Sequence, residues 1–238
     1  MSEHVVSTRG VTRTFQLGDV AVRALRGVDF TLDRGEFAAV AGPSGSGKTT
    51  LFNLIGGLDE ATDGEVFVDG QLLSGMTRKA LARLRLDKIG FVFQAYNLIP
   101  VLTAYENVEY PLILKKAPVA ERKVRVEALL QAVGLSEMMH RRPAQMSGGQ
   151  QQRVAIARSL VCDPAVVLAD EPTANVDSET GADLLDLMRR LNKEKGITFL
   201  FSTHDPAVMQ AARRLIRLKD GRIVSDVRQN GAPEPAAG

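Results

Sequence analysis

The sequence has a single cysteine, Cys162, so it has no internal disulfide, as suits a reducing cytosol. It also lacks an excess of charge of either sign. Its 30 Lys and Arg residues stand against 28 Asp and Glu, for a formal charge of +2. A nucleic-acid binder usually carries a strongly basic face, so no nucleic acid is expected as a partner. No apolar run approaches the ~20 residues that cross a bilayer. The opening residues Met1-Ser2-Glu3-His4 have neither the basic nor the apolar region of a signal peptide. No internal repeat is visible. A soluble chain is expected, with any membrane role left to another subunit. What is present is 238 residues, 45% of them hydrophobic. That suffices for one large domain or two small ones at ~100–200 residues each.

Within this frame, residues 42–49 read Gly-Pro-Ser-Gly-Ser-Gly-Lys-Thr. The spacing fits a phosphate-binding loop, with Gly42, Gly47, Lys48 and Thr49 at its fixed positions and Pro43, Ser44, Gly45 and Ser46 between them. Glycines let backbone N–H groups turn toward phosphate oxygens without a Cβ in the way. Lys48 would place a cation at the β- and γ-phosphates, and the Thr49 hydroxyl could ligate Mg²⁺. The apolar run Phe37–Ala41 reads as a buried strand before the loop. Thr50–Ile55 reads as the helix behind it, its N-terminus facing the phosphates. The pattern implies a nucleoside triphosphate, ATP or a relative, with magnesium.

Around this loop the chain alternates strand and helix signals. Residues 4–41 carry β-rich runs with turns expected at Gly18-Asp19, Arg26-Gly27 and Asp33-Arg34-Gly35. Val66–Val68 is a strand with a turn signal at Asp69-Gly70. Thr77 can cap a helix to about Leu86, and Ile89–Phe93 is a buried strand ending at Gln94. From about Tyr96 to Leu160 the character is mostly helical, an insert within an α/β core. Thr103-Ala104-Tyr105-Glu106 has capping-box spacing, and Val126, Leu129, Leu130 and Val133 share one helical face closed by Gly134. Strands return at Val166–Ala169 and Ile197–Phe201, around a Leu184, Leu185, Met188, Leu191 stripe that reads as core. Gln229–Gly238, rich in Pro, Ala and Gly, is expected to be a disordered tail.

Three further features carry chemistry. The strand Val166–Ala169 runs into Asp170-Glu171, where Asp170 suits the metal side and Glu171 a general base for the attacking water. Gln94 ends one strand and His204 follows another by three residues. Ligands of open α/β sheets sit beyond strand carboxyl ends, so Lys48, Gln94, Asp170, Glu171 and His204 should converge. Gln94 could touch Mg²⁺ or the attacking water, and His204 the γ-phosphate. His4 and His140 have no such context. Finally, Ser147-Gly148-Gly149-Gln150 opens a helical run to Val161, a second helix N-terminus suited to an anion. With only one phosphate-binding loop in the chain, this element suggests a site completed in another copy.

In this order, these motifs resemble the ATP-binding subunits of ABC transporters, over essentially residues 4–225. The resemblance implies an α/β fold: a P-loop NTPase core (RecA-like) with an antiparallel β subdomain and a helical insert at about 96–160, one domain over 1–228. It makes Gly42–Thr49, with Thr50, the Walker A loop and Gln94 the Q-loop residue. Ser147–Gln150 becomes the signature motif. Asp170 and Glu171 become the Walker B aspartate and catalytic glutamate. Asn175-Val176-Asp177 falls in the D-loop, and His204 is the switch histidine. Phe15 falls where the family stacks an aromatic on adenine, often Tyr. Met146 replaces the usual Leu, and the D-loop wording is uncommon.

Gly18-Asp19-Val20, Ala24–Val28, Ile55–Asp59, Phe91–Gln94 and Asn97–Pro100 are similar to the LolD/MacB group, which serves lipoprotein release and macrolide or peptide export. The implied cofactors are ATP and Mg²⁺. The implied partners are a second ATPase copy and transmembrane permease subunits, at the cytoplasmic face of the inner membrane. Residues 94–110, with Tyr96, Leu98, Ile99, Pro100 and Tyr105, are the expected contact surface for those subunits. The alternative is an FtsE-like ATPase that signals through a membrane protein without transport. A soluble ABC protein of DNA repair or translation usually has a coiled-coil insertion or two cassettes, and this chain offers neither.

Overall fold

The computed structural model describes residues 4–229. The expected tail therefore lies outside the described residues except for Gln229, as do Met1–Glu3. The chain runs β1 (His4–Leu17), β2 (Val20–Asp33), β3 (Phe37–Ala41), α1 (Lys48–Ile55), β4 (Asp63–Val68), β5 (Gln71–Leu72), α2 (Arg78–Lys88) and β6 (Ile89–Phe93). Next come α3 (Ala104–Leu114), α4 (Val119–Ala132), single 3-10 turns at Ser136–Met138 and Pro143–Gln145, and α5 (Gly148–Leu160). The chain closes with β7 (Val166–Asp170), α6 (Ser178–Lys195), β8 (Phe199–Thr203), α7 (Pro206–Ala211), β9 (Arg214–Lys219) and β10 (Arg222–Arg228).

Two sheets form. One is antiparallel, in the order β2-β1-β4-β5; the other runs β10-β9-β3-β8-β7-β6. In the second, β9, β3, β8, β7 and β6 pair in parallel and β10 closes the edge antiparallel. Its central strands are apolar on both faces because both faces are covered. Side chains alternate across it: Phe37 and Ala39 join the core beneath α3–α6, while Ala38 and Val40 join the core shared with α1 and the antiparallel sheet. Gly90 allows the close approach of β6 and α5, since a Cβ there would lie 2.4 Å from the Ser159 carbonyl oxygen.

Helix starts follow the residues that can satisfy their free N–H groups. Thr77 accepts from the Ala80 N–H, Thr103 and Glu106 form a reciprocal capping box, and Asp177 caps α6. At the other end of α6, Gly196 takes a left-handed φ of 64°. The stripe Leu184, Leu185, Met188 and Leu191 is buried as core.

Three expectations change. Arg26-Gly27 is not a turn: β2 runs through it, with Arg26 opposite Thr12 and Val28 opposite Val11. Gly27, at φ 82°, is the extra residue of a bulge, which glycine accommodates without a break in the strand. The strand expected at Ile197–Phe201 is instead Phe199–Thr203, because the ladder to β3 continues through Ser202 and Thr203. His204 thus follows it directly. Residues 94–103 are loop, and helix begins only at Ala104. Leu98 of this loop and Tyr105 of α3 pack against the core. The apolar exposure expected of them falls instead on Val101 and on Tyr110, Ile113 and Leu114 of α3.

Candidate active site

The carboxyl ends of β3, β6, β7 and β8 open into a cleft of about 640 Å³. It is lined by Pro43, Ser44, Gly45, Gly47, Lys48, Thr49 and Thr50, and by Gln94, Asp170, Glu171 and His204. The group predicted to converge therefore does so, as parallel strands that end on one edge require.

The loop is shaped by close approach. A Cβ on Gly42 would lie 2.2 Å from the Leu218 carbonyl oxygen and 2.6 Å from Ser46 Oγ. Gly45 and Gly47 have φ of 78° and 105°, which L side chains rarely adopt. Lys48 is only 9% exposed, and its ammonium donates to the Gly42 and Pro43 carbonyls at 2.7 and 3.1 Å. It has no carboxylate partner among the described residues. A buried cation held only by carbonyls suits an incoming anion. The hydroxyls of Ser46 and Ser202 are buried and have no hydrogen-bond partner among the described residues. Such orphaned groups beside a cleft fit a ligand with several acceptor oxygens.

Glu171 is held from three sides. Its Oε1 meets His204 Nδ1 at 2.6 Å, its Oε2 accepts from the Thr203 hydroxyl at 3.3 Å, and its N–H donates to the Ser202 carbonyl at 2.9 Å. These contacts stabilise a left-handed φ of 46°, unusual for a residue before proline and costing about 1–2 kcal/mol. The side chain is thereby fixed at the cleft wall. A carboxylate beside an imidazole can accept and pass a proton.

The remaining predicted residues lie elsewhere. Phe15, on β1, is partly buried, with the Arg13 guanidinium 4.6 Å over its ring, and does not line the cleft. Ser147, Gly148, Gly149 and Gln150 do not line it either. They begin α5, where Ser147 Oγ accepts from the Gln150 N–H and Gln150 Oε1 from the Ser147 N–H. The Gly148 and Gly149 N–H groups fall in the first turn, where a helix supplies no acceptor. Gly149 is pressed against Thr180, with 2.3 Å from a would-be Cβ to its methyl.

Sequence reasoning missed Ala24 and Ser202, which line the cleft, and the supporting Thr203. The signal for the latter two was present, since Ser202-Thr203 is a polar exit from an apolar strand leading to His204. It also missed the bonds that Tyr96 and Asn175 make around Gln94. Burial raises the Tyr96 phenol above its ordinary range.

The family model for ABC transporters matches residues 25–174. The chain belongs to the ABC transporter ATP-binding family. It is 50% identical to an ABC transporter ATP-binding protein of Thermotoga maritima, over 90% of this chain and 91% of that one. It is 46% identical to the macrolide export ATP-binding/permease protein MacB of Marinobacter nauticus, over 98% of this chain but 36% of that longer protein. The ABC transporter cassette MJ0796 of Methanocaldococcus jannaschii, solved as a dimer, superposes with a TM-score of 0.87 at 43% identity, covering 95% of this chain and 99% of that one. The same cassette is known as a post-hydrolysis dimer with ADP and Pi. This ABC chain is accordingly an ATP-binding ATPase subunit of the MacB/MJ0796 type. Its fold is the expected P-loop α/β core with an antiparallel sheet and helical region. Among its described residues no helix is long and apolar enough to cross a membrane.

Proposed function

We propose that two copies of this chain close head to tail around two ATP molecules and drive membrane permease subunits, in the manner of the LolD/MacB group. The observation that carries this reading is a separation within one chain. Lys48 and Glu171 share the cleft, while the Ser147–Gly149 turn, with its free first-turn N–H groups, lies outside it. A turn of that kind on one copy would complete the cleft of the other.

In this reading the Gly42–Thr50 backbone and Lys48 hold the phosphates, and Phe15 faces the adenine after Arg13 gives way. Thr49, Gln94 and Asp170 hold Mg²⁺, whose chemistry is to neutralise charge on phosphate oxygens. Glu171 takes the proton of the attacking water, and His204, whose Nδ1 lies 2.6 Å from Glu171, fixes that carboxylate and would bond the γ-phosphate. Opening after hydrolysis would pass movement to the membrane subunits.

Those subunits would sit at a second cleft of about 430 Å³, with Leu58, Leu86, Phe91, Phe93, Pro111 and Cys162 in its walls. It runs between α2 with β6 and the helices α3 and α5. Phe93 and Asn97 flank the Gln94 loop on this side, so pressure here reaches the active site over a few bonds. Membrane association through these partners follows. The identity of the membrane protein that co-purifies separates a transporter from an FtsE-like signalling ATPase.

Mixed dimers test the composite site. Chains carrying Ser147→Arg, which blocks the turn, are combined with chains carrying Lys48→Ala, which weakens the loop. A head-to-tail pair then contains one site intact in both halves. Each variant alone should be nearly inactive, and the mixture should regain a substantial fraction of turnover. No recovery on mixing would sink the shared-site model.

A further inference from the structure

The loop that carries Gln94 is held in a frame of hydrogen bonds centred on Asn175, in the turn between β7 and α6. Asn175 Nδ2 donates to the Gln94 carbonyl at 2.9 Å, and Gln94 Nε2 donates to Asn175 Oδ1 at 3.3 Å. The Asn175 carbonyl accepts from the Tyr96 hydroxyl at 2.9 Å. Arg158 of α5 donates to the Tyr96 and Asn97 carbonyls at 2.8 and 2.5 Å. Tyr96 and Asn97 both have left-handed φ, 56° and 51°, a conformation that persists only when the surroundings enforce it. The Tyr96 hydroxyl stands against Gly148, where a Cβ would lie 2.7 Å from it. The frame therefore ties together the loop after β6, the turn after β7 and the last turn of α5, and it sets the Tyr96 hydroxyl against the first turn of that helix.

Its chemical consequence lies in the Gln94 carboxamide, which has an accepting end and a donating end. Left alone, the last torsion of a glutamine is broad and roughly two-fold, so either end could face the cleft. Asn175 removes that freedom by a chain of necessity. A backbone carbonyl only accepts, so the Gln94 carbonyl requires the NH₂ of Asn175. That turns Asn175 Oδ1 toward Gln94, and Oδ1 in turn requires the NH₂ of Gln94. The oxygen of Gln94 is then the end left for the cleft, and a hard divalent cation takes oxygen, not an amide NH₂. We propose that Asn175 is a positioning residue, which orients the Gln94 carboxamide so that its oxygen is offered to the metal that accompanies ATP. The inference rests on the reading of Gln94 as a metal-side group.

The test uses Mn²⁺ as the metal probe, its binding measured by electron paramagnetic resonance on full-length Glu171→Gln protein with ATP. In this background Gln94→Ala should weaken Mn²⁺ binding several-fold. Asn175→Ala should weaken it roughly twofold, because a released two-fold torsion leaves about half of the carboxamides with oxygen toward the cleft. Gln94→Glu supplies two equivalent oxygens and has no wrong end. Adding Asn175→Ala to Gln94→Glu should therefore leave Mn²⁺ affinity unchanged. A merely structural Asn175 would lower the melting temperature and shift the metal affinity alike whichever residue stands at 94. That result, or no shift on Asn175→Ala with Gln94 present, overturns the proposal. If Gln94→Ala itself has no effect, the metal-side reading of Gln94 fails and the proposal with it. If Gln94→Ala weakens binding and Asn175→Ala does not, only the role of Asn175 falls.

Discussion

Replacing Glu171 with Gln is expected to abolish turnover almost completely while leaving ATP binding intact. The substitution keeps the shape of the side chain and an oxygen to accept the Thr203 hydroxyl, but removes the basic carboxylate that lies 2.6 Å from His204 Nδ1. Loss of a positioned base typically costs ~10²–10⁴ in rate, so a fall on the order of a thousandfold is expected. With hydrolysis blocked, the closed pair has no route to open, and an ATP-bound dimer should accumulate. Steady-state phosphate release and size-exclusion chromatography with and without ATP measure the two effects. Turnover near the unmodified level would remove Glu171 from the role of base.

The second large effect is expected from Lys48→Ala, at the level of binding rather than chemistry. The ammonium is nearly buried and held by two carbonyls alone, so it is poised for a charge-assisted bond to phosphate. Truncating one partner of such a buried pair costs about 2–4 kcal/mol, or roughly 30- to 1,000-fold in affinity. The loop is also held by the Ser46 N–H bond to the Pro43 carbonyl and by the Leu51 N–H bond to Gly47. The change should therefore act on nucleotide affinity far more than on folding. Titration calorimetry with ATP and a thermal melt separate the two. Unaltered ATP affinity would contradict the assignment of the loop.

Much of the site is legible because its parts are local. The Gly42–Thr49 spacing dictates a loop that only glycine backbone can form, and Gly45 and Gly47 take the left-handed φ it needs. Thr77, Thr103 with Glu106, and Ser147 announce helix starts because each cap is a bond over a few residues. The misreadings are of another kind. Arg26-Gly27 carries a local turn signal, yet long-range pairing with β1 absorbs Gly27 as a bulge. The end of β8 is set by its ladders to β3 and β7, which carry Ser202 into the sheet despite its polar side chain.

The sequence by itself determined that this chain binds a nucleoside triphosphate and that Asp170, Glu171, Gln94 and His204 lie at strand ends. Those conclusions follow from spacing, since strands and helix starts place their end residues on one edge whatever the partners. Only the tertiary structure decided which of these groups touch. The Glu171–His204 pair, the support from Thr203, the orphaned Ser46 and Ser202 hydroxyls and the Asn175 frame around Gln94 join residues far apart in the chain. No local rule encodes such contacts, because they depend on how the ends of separate strands are brought side by side by the packed sheet.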